Sequence, residues 1–233
     1  MIALATIVGL GVAPVTPQSR ASSANPPLSG MSRGGACPCP GMDDPGKDGH
    51  DNAAAGQDPL MRYVELRRHT DNEGDRLTPQ GTADAEMIGR DLLRPPYAAF
   101  VSTGAARAIQ MLEILRHAAG QDETPIIPAA GLRSSVENRW REAAQAAGKG
   151  ADLDAMRAID PDLVKRESVL LGSALRQVVD ALPEGGRALV VGHSPTNEAA
   201  VLGLAGRVVP PLGKGQGVLL IEDGGHYRVE PLD

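Results

Sequence analysis

The stretch that decides the fold is RALVVGHSPT, residues 187–196. Residues 187–191 are an almost unbroken apolar run, as found in strands that are buried on both faces of a parallel sheet. Gly192 and His193 follow the run, and a helix is predicted from about Pro195. A buried strand that turns directly into a helix indicates an α/β protein, with polar residues at the carboxyl end of the strand.

The chain outside this stretch repeats the alternation of short apolar runs and longer helical patterns. Thr78 and Pro79 open a helix as N-cap and first helical residue. We predict further helices after residue 101 and over residues 162–182. The predicted strands are 63–67, 98–101, 125–128 as an edge strand, 187–191, 217–222 and 226–230. This order favours a three-layer α/β/α sandwich with a mostly parallel central sheet.

Composition excludes several classes of protein. The chain has 233 residues, a formal net charge of −6 and 42% hydrophobic residues, which is enough apolar side chain for a folded core. With only 1 Phe, 1 Trp and 3 Tyr, stacking of bases is not expected, and the acidic balance argues against a nucleic-acid partner. Two Cys cannot form a disulfide framework, and no apolar run approaches the roughly 20 residues of a membrane span. A soluble protein without a nucleic-acid or membrane partner is predicted.

Residues 1–60 differ in composition from the rest of the chain. They contain 9 Gly, 8 Pro and no aromatic residue, which predicts a low-complexity, disordered segment ahead of one domain at 61–233. Cys37-Pro38-Cys39 is interpreted as two thiols, because no other Cys or clustered His completes a metal-ligand set. Residues 2–24 resemble an export signal but lack a preceding Lys or Arg. We therefore expect a cytoplasmic protein, and the alternatives are export or a translation start at Met31 or Met61.

Residues suited to binding an anion follow three of the predicted strands. They are, in chain order, Arg68, His69, Thr70, Ser102, Thr103, Gly104, Arg107, His193 and Ser194. The carboxyl ends of parallel strands share one edge of a sheet, where helix N-termini also favour anions. Two arginines and two histidines at one edge of an acidic domain indicate a bound phosphoryl group, whose oxygens match guanidinium donors.

Four sequence blocks stand out: LRRHT at 66–70, LTPQG at 77–81, STGAARAIQ at 102–110 and VGHSP at 191–195. Together they resemble the histidine phosphatase superfamily, which has the phosphoglycerate mutase-like fold. They occur in the order of the family and span the chain from Met61 onward. The short gap between His69 and Leu77 is most similar to the compact bacterial phosphohistidine phosphatases, rather than to mutases with longer insertions.

The resemblance implies a phosphatase that forms a covalent phosphohistidine and needs no metal or other cofactor. His69 would attack phosphorus with one ring nitrogen while a hydrogen bond holds the other. Arg68, Arg107 and a protonated His193 would stabilise the charge that spreads over the phosphoryl oxygens. The substrate would be a phosphorylated small molecule or a phosphohistidine on a protein. Two further phosphate-binding residues are implied, Thr70 and Ser194.

The acid that protonates the leaving oxygen has two candidates. Glu137 lies 30 residues after Arg107, similar to the place where many family members carry a catalytic Glu. Asp71, two residues after the nucleophile, is the rival. The alternative for Glu137 is a surface carboxylate that pairs with Arg133 or Arg141 along a helix.

Two positions depart from the family pattern. Thr70 stands where Gly or Ala is usual, and a β-branched residue resists positive φ and crowds the pocket. Gly104 replaces a Pro, which predicts a looser loop ahead of Arg107. Neither departure removes a catalytic group.

Other functions fit parts of the pattern. A phosphate-binding module without turnover and a phosphomutase use the same residues, although the short loop after His69 disfavours the mutase. Residues 192–196 resemble the nucleophile elbow of acyl hydrolases, but Pro195 lacks the N–H that its oxyanion hole needs. The glycine-rich residues 213–217 precede a strand rather than a helix, and no Ser or Thr follows the Lys. They predict a hairpin turn rather than a nucleotide-binding loop.

Overall fold

The computed structural model describes residues 60–232. The strands are β1 (Arg62–Arg68), β2 (Asn72–Glu73), β3 (Arg76–Leu77), β4 (Ala99–Ser102), β5 (Ile126–Pro128), β6 (Arg187–Gly192), β7 (Gly217–Asp223) and β8 (His226–Leu232). The helices are α1 (Pro79–Asp91), α2 (Ala106–Ala118), α3 (Glu137–Ala147), α4 (Leu153–Ile159), α5 (Pro161–Asp180) and α6 (Thr196–Ala205), with a 3₁₀-helix at Ala130–Leu132. Three predictions lie outside the described residues: the disorder of the N-terminal segment, the export signal at 2–24 and the pair Cys37 and Cys39.

Six of these strands form one sheet in the order β5-β4-β6-β1-β7-β8. The first four are parallel, β7 is antiparallel to β1, and β8 is antiparallel to β7. The central pair runs from Tyr63 opposite Arg187 to Arg68 opposite Gly192. The carboxyl ends of β1 and β6 are therefore level, and the residues that follow them lie side by side.

Helices cover both faces of this sheet, which confirms the predicted three-layer α/β/α architecture. Leu189 and Val191 pack with α1 and α2 on one face, whereas Ala188 and Val190 pack with α3 to α6 on the other. Alternate residues of β6 thus point into opposite layers. All six residues of β6 are buried, as the apolar run at 187–191 predicts.

Local sequence explains where the helices next to the strand ends begin. The Oγ1 of Thr78 accepts the N–H of Gly81 at 3.0 Å, with Pro as the first residue of α1, as predicted. Helix α5 begins one residue before the predicted 162–182 helix, and α6 begins one residue after Pro195.

No helix within residues 60–232 combines the length and the hydropathy needed to cross a membrane.

Three parts of the domain differ from the sequence prediction or go beyond it. Residues 72–77 form a hairpin of two-residue strands, β2 and β3, which are too short to show an alternating pattern. Helices α3 and α4 were not predicted. In α3 the buried residues are Trp140 and Ala143 alone, which is too few to give a clear helical pattern of apolar residues. The glycine-rich residues 213–217 contain a turn, but an irregular segment rather than a strand precedes it. The predicted hairpin at this position is therefore wrong.

Candidate active site

The carboxyl ends of three neighbouring strands meet at one edge of the sheet. The first residue beyond β1 is His69, the first beyond β4 is Thr103, and the first beyond β6 is His193. The ring centroids of His69 and His193 are 5.1 Å apart, with an angle of 63° between the ring planes. The pairing of β1 with β6 thus brings together two histidines that are 124 positions apart in the chain.

His69 is held as a neutral ring with its lone pair on Nε2. Its Nδ1–H donates to the Thr70 carbonyl at 2.8 Å, and the Nε of Arg107 donates to Nε2 at 3.1 Å. Because a guanidinium can only donate, this network assigns the ring proton to Nδ1. The pKa of His69 falls from 6.5 to about 4, mainly through burial and also through nearby cations, while the hydrogen bond to the Thr70 carbonyl opposes the fall. At neutral pH, Nε2 is therefore available as a nucleophile.

The surroundings of His193 favour its neutral ring, and its protonation beside a phosphoryl group stays a prediction. The Nη2 of Arg107 donates to its Nδ1 at 3.2 Å, and its Nε2–H donates to the Oγ1 of Thr103 at 2.8 Å. Burial lowers the pKa of His193 to about 3, with contributions from Arg107 and His69. A charged His193 requires an anion beside it, because a phosphate dianion favours the protonated ring.

Arg107 connects the two imidazoles and is itself held by Asp75. Its Nη1 donates to Oδ1 of Asp75 at 2.6 Å, while the Ala106 N–H donates to Oδ2 at 3.1 Å. Burial raises the pKa of Asp75, but these hydrogen bonds and the Arg107 charge outweigh it, so the pKa lies below its usual value. Asp75 thus ties the hairpin of β2 and β3 to the first turn of α2, from which Arg107 extends.

Arg68 is bonded to the segment before β7 rather than to the imidazoles. Its Nη1 donates to the Leu212 carbonyl at 2.6 Å, and burial lowers its pKa against the attraction of Glu198. Its Nε is buried and has no hydrogen-bond partner within residues 60–232. Arg68 therefore lies beside the site with its buried Nε donor unused.

The two hydroxyls predicted to bind phosphate donate their protons elsewhere. The Oγ1 of Thr70 donates to the Gly81 carbonyl at 2.7 Å, and the Oγ of Ser194 donates to Oε1 of Glu198 at 2.6 Å. A hydroxyl has one proton. In this arrangement both protons point away from the imidazoles, and phosphate binding by Thr70 and Ser194 stays a prediction.

The structure gives the backbone conformation at the two departures, Thr70 and Gly104. No described residue other than glycine has a positive φ, so Thr70 does not carry the strain that its β-branch suggested. Gly104 has a φ of +86°, a value that the proline ring excludes and that glycine adopts without strain. The loop before α2 thus follows a backbone path that the family's Pro could not take.

A cavity of about 300 Å³ opens beside Arg107 and His193. Arg133, Glu137 and Trp140 also line it, whereas His69 does not. The Nε of Arg133 donates to Oε1 of Glu137 at 2.6 Å, which is the helical ion pair that the sequence left as an alternative. Because both partners also line the cavity, the ion pair does not remove Glu137 from the cleft beside His193.

Asp71, the other candidate acid, does not line this cavity. Its Oδ2 accepts from the Oγ1 of Thr78 at 2.9 Å, and its backbone carbonyl accepts the Thr78 N–H at 3.1 Å. A Cβ at Gly81 would collide with that carbonyl. Through these two hydrogen bonds, Asp71 holds the segment after His69 against the start of α1.

Two charged residues that the sequence analysis missed lie close to the histidines. One is Asp75, which the spacing alone does not distinguish from Asp71 or Glu73. The other is Lys214, whose charge contributes to the low pKa of His69 and which the sequence assigned to a turn. Lys214 lies near His69 because the strand that follows it, β7, pairs with β1. The sequence pattern alone does not show this pairing. Within residues 60–232, no group of three or more His, Cys, Asp or Glu side chains is placed to hold a metal ion.

Comparison with known proteins identifies the fold. No protein-family model and no curated protein matches the sequence. The structure is similar to a phosphoglycerate mutase from Bacillus anthracis, with 18% identity, a TM-score of 0.59, and coverage of 76% of this chain and 94% of that one. A mycobacterial glucosyl-3-phosphoglycerate phosphatase has 16% identity and a TM-score of 0.51, with 74% and 98% covered. A phosphoserine phosphatase from Entamoeba histolytica has 15% identity and a TM-score of 0.51, with 74% and 97% covered.

These similarities extend over nearly the whole of each related chain and confirm the fold that the four sequence blocks implied. The chain therefore has the phosphoglycerate mutase-like fold.

Proposed function

We propose that this protein is a phosphatase that hydrolyses a phosphomonoester or a phosphohistidine through a covalent phosphohistidine on His69. One observation carries the proposal. The unprotonated Nε2 of His69 lies 3.1 Å from the Nε of Arg107, whose Nη2 also reaches His193. A nucleophilic nitrogen and cationic donors for the phosphoryl oxygens thus converge on one point.

In the first step, the Nε2 lone pair of His69 attacks phosphorus and the bond from phosphorus to the leaving oxygen breaks. Arg107 exchanges its bonds to the imidazoles for bonds to the equatorial oxygens, and the unused Nε of Arg68 supplies a further donor. His193 becomes protonated beside the dianion and adds its charge. These groups stabilise negative charge as it spreads in the transition state, without a metal ion.

The leaving oxygen takes a proton from a carboxylic acid, for which Glu137 is the first candidate because it lines the cavity with His193. In the second step, a water attacks phosphorus and the bond from phosphorus to Nε2 breaks, which returns the lone pair to His69. The water gives its proton to the same carboxylate, and inorganic phosphate leaves. Asp71 is the alternative acid.

A phosphorylated small molecule is the substrate class best supported. The cavity is small, and the three structural relatives are described as acting on phosphoglycerate, glucosyl-3-phosphoglycerate and phosphoserine. A phosphohistidine on a protein is the other substrate proposed from the short segment after His69.

The experiment that tests this function is rapid quenching during turnover of a labelled phosphate ester. Label should appear on His69 with the stability of a phosphoramidate, which is labile in acid and survives base. His69→Gln keeps a side chain of similar size and should abolish both labelling and turnover, whereas His117→Ala, at an exposed histidine of α2, should change neither. Phosphate binding without turnover by the wild-type protein would instead indicate a binding module.

A further inference from the structure

The turn that carries Lys214 is fixed against the end of β1. The Gly215 N–H is shared between the carbonyls of Arg68 and His69, at 3.2 and 3.4 Å. The Arg68 N–H donates to the Gln216 carbonyl at 2.8 Å, and the Nη1 of the buried Arg67 donates to the Gly215 carbonyl at 3.3 Å. The backbone on either side of the nucleophile therefore holds the residue next to Lys214.

Backbone conformation and close packing favour glycine at positions 215 and 217. Gly215 has a φ of +78°, and a Cβ there would lie 2.8 Å from Cδ1 of Ile88. A Cβ at Gly217 would lie 2.6 Å from the Leu66 carbonyl oxygen. Such contacts are too short for real side chains, so the turn can approach β1 only without them. The glycines thus set the position from which the Lys214 side chain extends.

The side chain of Lys214 reaches toward the segment that follows His69. Its Nζ donates to Oδ1 of Asn72, whose Nδ2 donates to the Gly74 carbonyl at 2.7 Å and so orients the amide. Lys214 forms no ion pair with a carboxylate within residues 60–232. It differs in this from Arg107, whose charge is balanced by Asp75.

Most of the charges that act on Lys214 are positive, which favours binding of an anion beside it. Burial, Arg68 and Arg107 lower the pKa of Lys214, and the attraction of Asp71 opposes them. Lys214 in turn is among the cations that lower the pKa of His69. Three cations thus converge on the nucleophile, and like charges destabilise one another unless an anion lies between them.

We propose that Lys214 is a further catalytic residue, whose ammonium group binds a nonbridging oxygen of the phosphoryl group that is transferred to His69. The inference rests on the proposed function and extends it, because it assigns a fourth positive group to the glycine-rich turn before β7. A lysine acts as a compact point charge and suits one phosphoryl oxygen, whereas the guanidinium of Arg107 suits two. Lys214 leaves Asn72 for the phosphoryl oxygen when substrate binds.

The test compares Lys214→Met and Lys214→Gln with wild type and with Lys165→Met, which removes an exposed lysine of α5. Hydrolysis of p-nitrophenyl phosphate gives kcat/KM, inhibition by inorganic phosphate gives its affinity, and thermal unfolding checks the fold. Both neutral Lys214 variants should lose about 10- to 100-fold in kcat/KM and bind phosphate more weakly, as expected for loss of a hydrogen bond to a charged group. Lys214→Arg should recover part of the loss, and Lys165→Met should match wild type.

Wild-type values of kcat/KM and phosphate affinity in both neutral variants would overturn the assignment of Lys214. Failure of the proposed function looks different, because the wild-type protein itself would then show no turnover. In that case, calorimetry with inorganic phosphate decides the role of Lys214. Weaker binding by the neutral variants supports the contact, and equal binding, or no binding by the wild type, overturns it.

Discussion

Replacing Asp75 with Ala should lower kcat/KM strongly while lowering the free energy of unfolding only modestly. Two interactions are lost: the 2.6 Å bond from Arg107 and the 3.1 Å bond from the first N–H of α2. The Asp75 side chain is 54% exposed, so the ion pair is worth only about 0.2–1 kcal/mol. The helix-terminal bond contributes about 1 kcal/mol. The free energy of unfolding should fall by about 1–2 kcal/mol, and Tm by about 2–8 °C for a domain of this size.

The effect on activity is larger because Arg107 contacts both histidines. Without Asp75, the guanidinium loses the contact that fixes Nη1, and its other donors no longer have one position relative to Nε2 of His69. Misplacement of a catalytic group by about 1 Å costs about 100-fold, and removal of one charged donor costs about 100- to 1000-fold. We expect Asp75→Ala to lose about 10- to 100-fold in kcat/KM, and Arg107→Ala to lose more.

The assay is hydrolysis of p-nitrophenyl phosphate alongside a thermal melt. Asp152→Ala is the matched control, because Asp152 caps α4 by accepting the Ala155 N–H at 2.9 Å and does not line the cavity beside His193. The control should lower Tm and leave kcat/KM unchanged. If Asp75→Ala behaves in the same way, Asp75 is a helix cap only and the positioning argument is refuted.

Three further predictions concern the nucleophile, the acid and the domain boundary. The pKa of about 4 keeps about 97% of His69 neutral at pH 5.5, against about 9% for a pKa of 6.5. The value of kcat/KM, corrected for substrate ionisation, should therefore fall only as the pH drops through about 4. A fall in kcat/KM that begins near pH 6.5 would contradict this. Glu137→Gln should slow hydrolysis of alkyl phosphates far more than of p-nitrophenyl phosphate, whose leaving group needs little protonation; an equal loss on both, or none, transfers the acid role to Asp71. A protein of residues 61–233 should unfold cooperatively and remain active, because the buried clusters on both faces of the sheet lie within it; a broad, non-cooperative melt would place the boundary earlier.

The fold could be predicted from sequence because its determinants are local. The apolar run at 187–191 favours burial on both faces, and Thr78 with the Pro that follows it favours the start of a helix. The regular alternation of strands and helices then allows few arrangements other than a sandwich. The hairpin at 72–77 escaped prediction because two-residue strands are formed by tertiary contacts and leave no periodic pattern.

The candidate site was predictable in outline for a related reason. His69, Arg107 and His193 each follow a strand directly or within the next helical turns, and the carboxyl ends of parallel strands share an edge whatever the strand order. The structure brings these three side chains into hydrogen-bond contact. Their catalytic roles are the proposal that the experiments above test.

The sequence by itself therefore determined the layers of the fold and the residue types that gather at one edge of the sheet. Only the tertiary structure decided the hydrogen-bond partners and the pKa shifts of the site residues, because both depend on neighbours that lie far away in the chain. The hydroxyl of Thr70 donates to the carbonyl of Gly81, which lies in the next helix, and burial lowers the pKa of His193; neither effect is visible in the neighbouring sequence. Lys214 lies near enough to His69 to lower its pKa because the turn that carries it leads into β7, which pairs with β1. Strand order is a property of long-range packing that a local pattern does not encode.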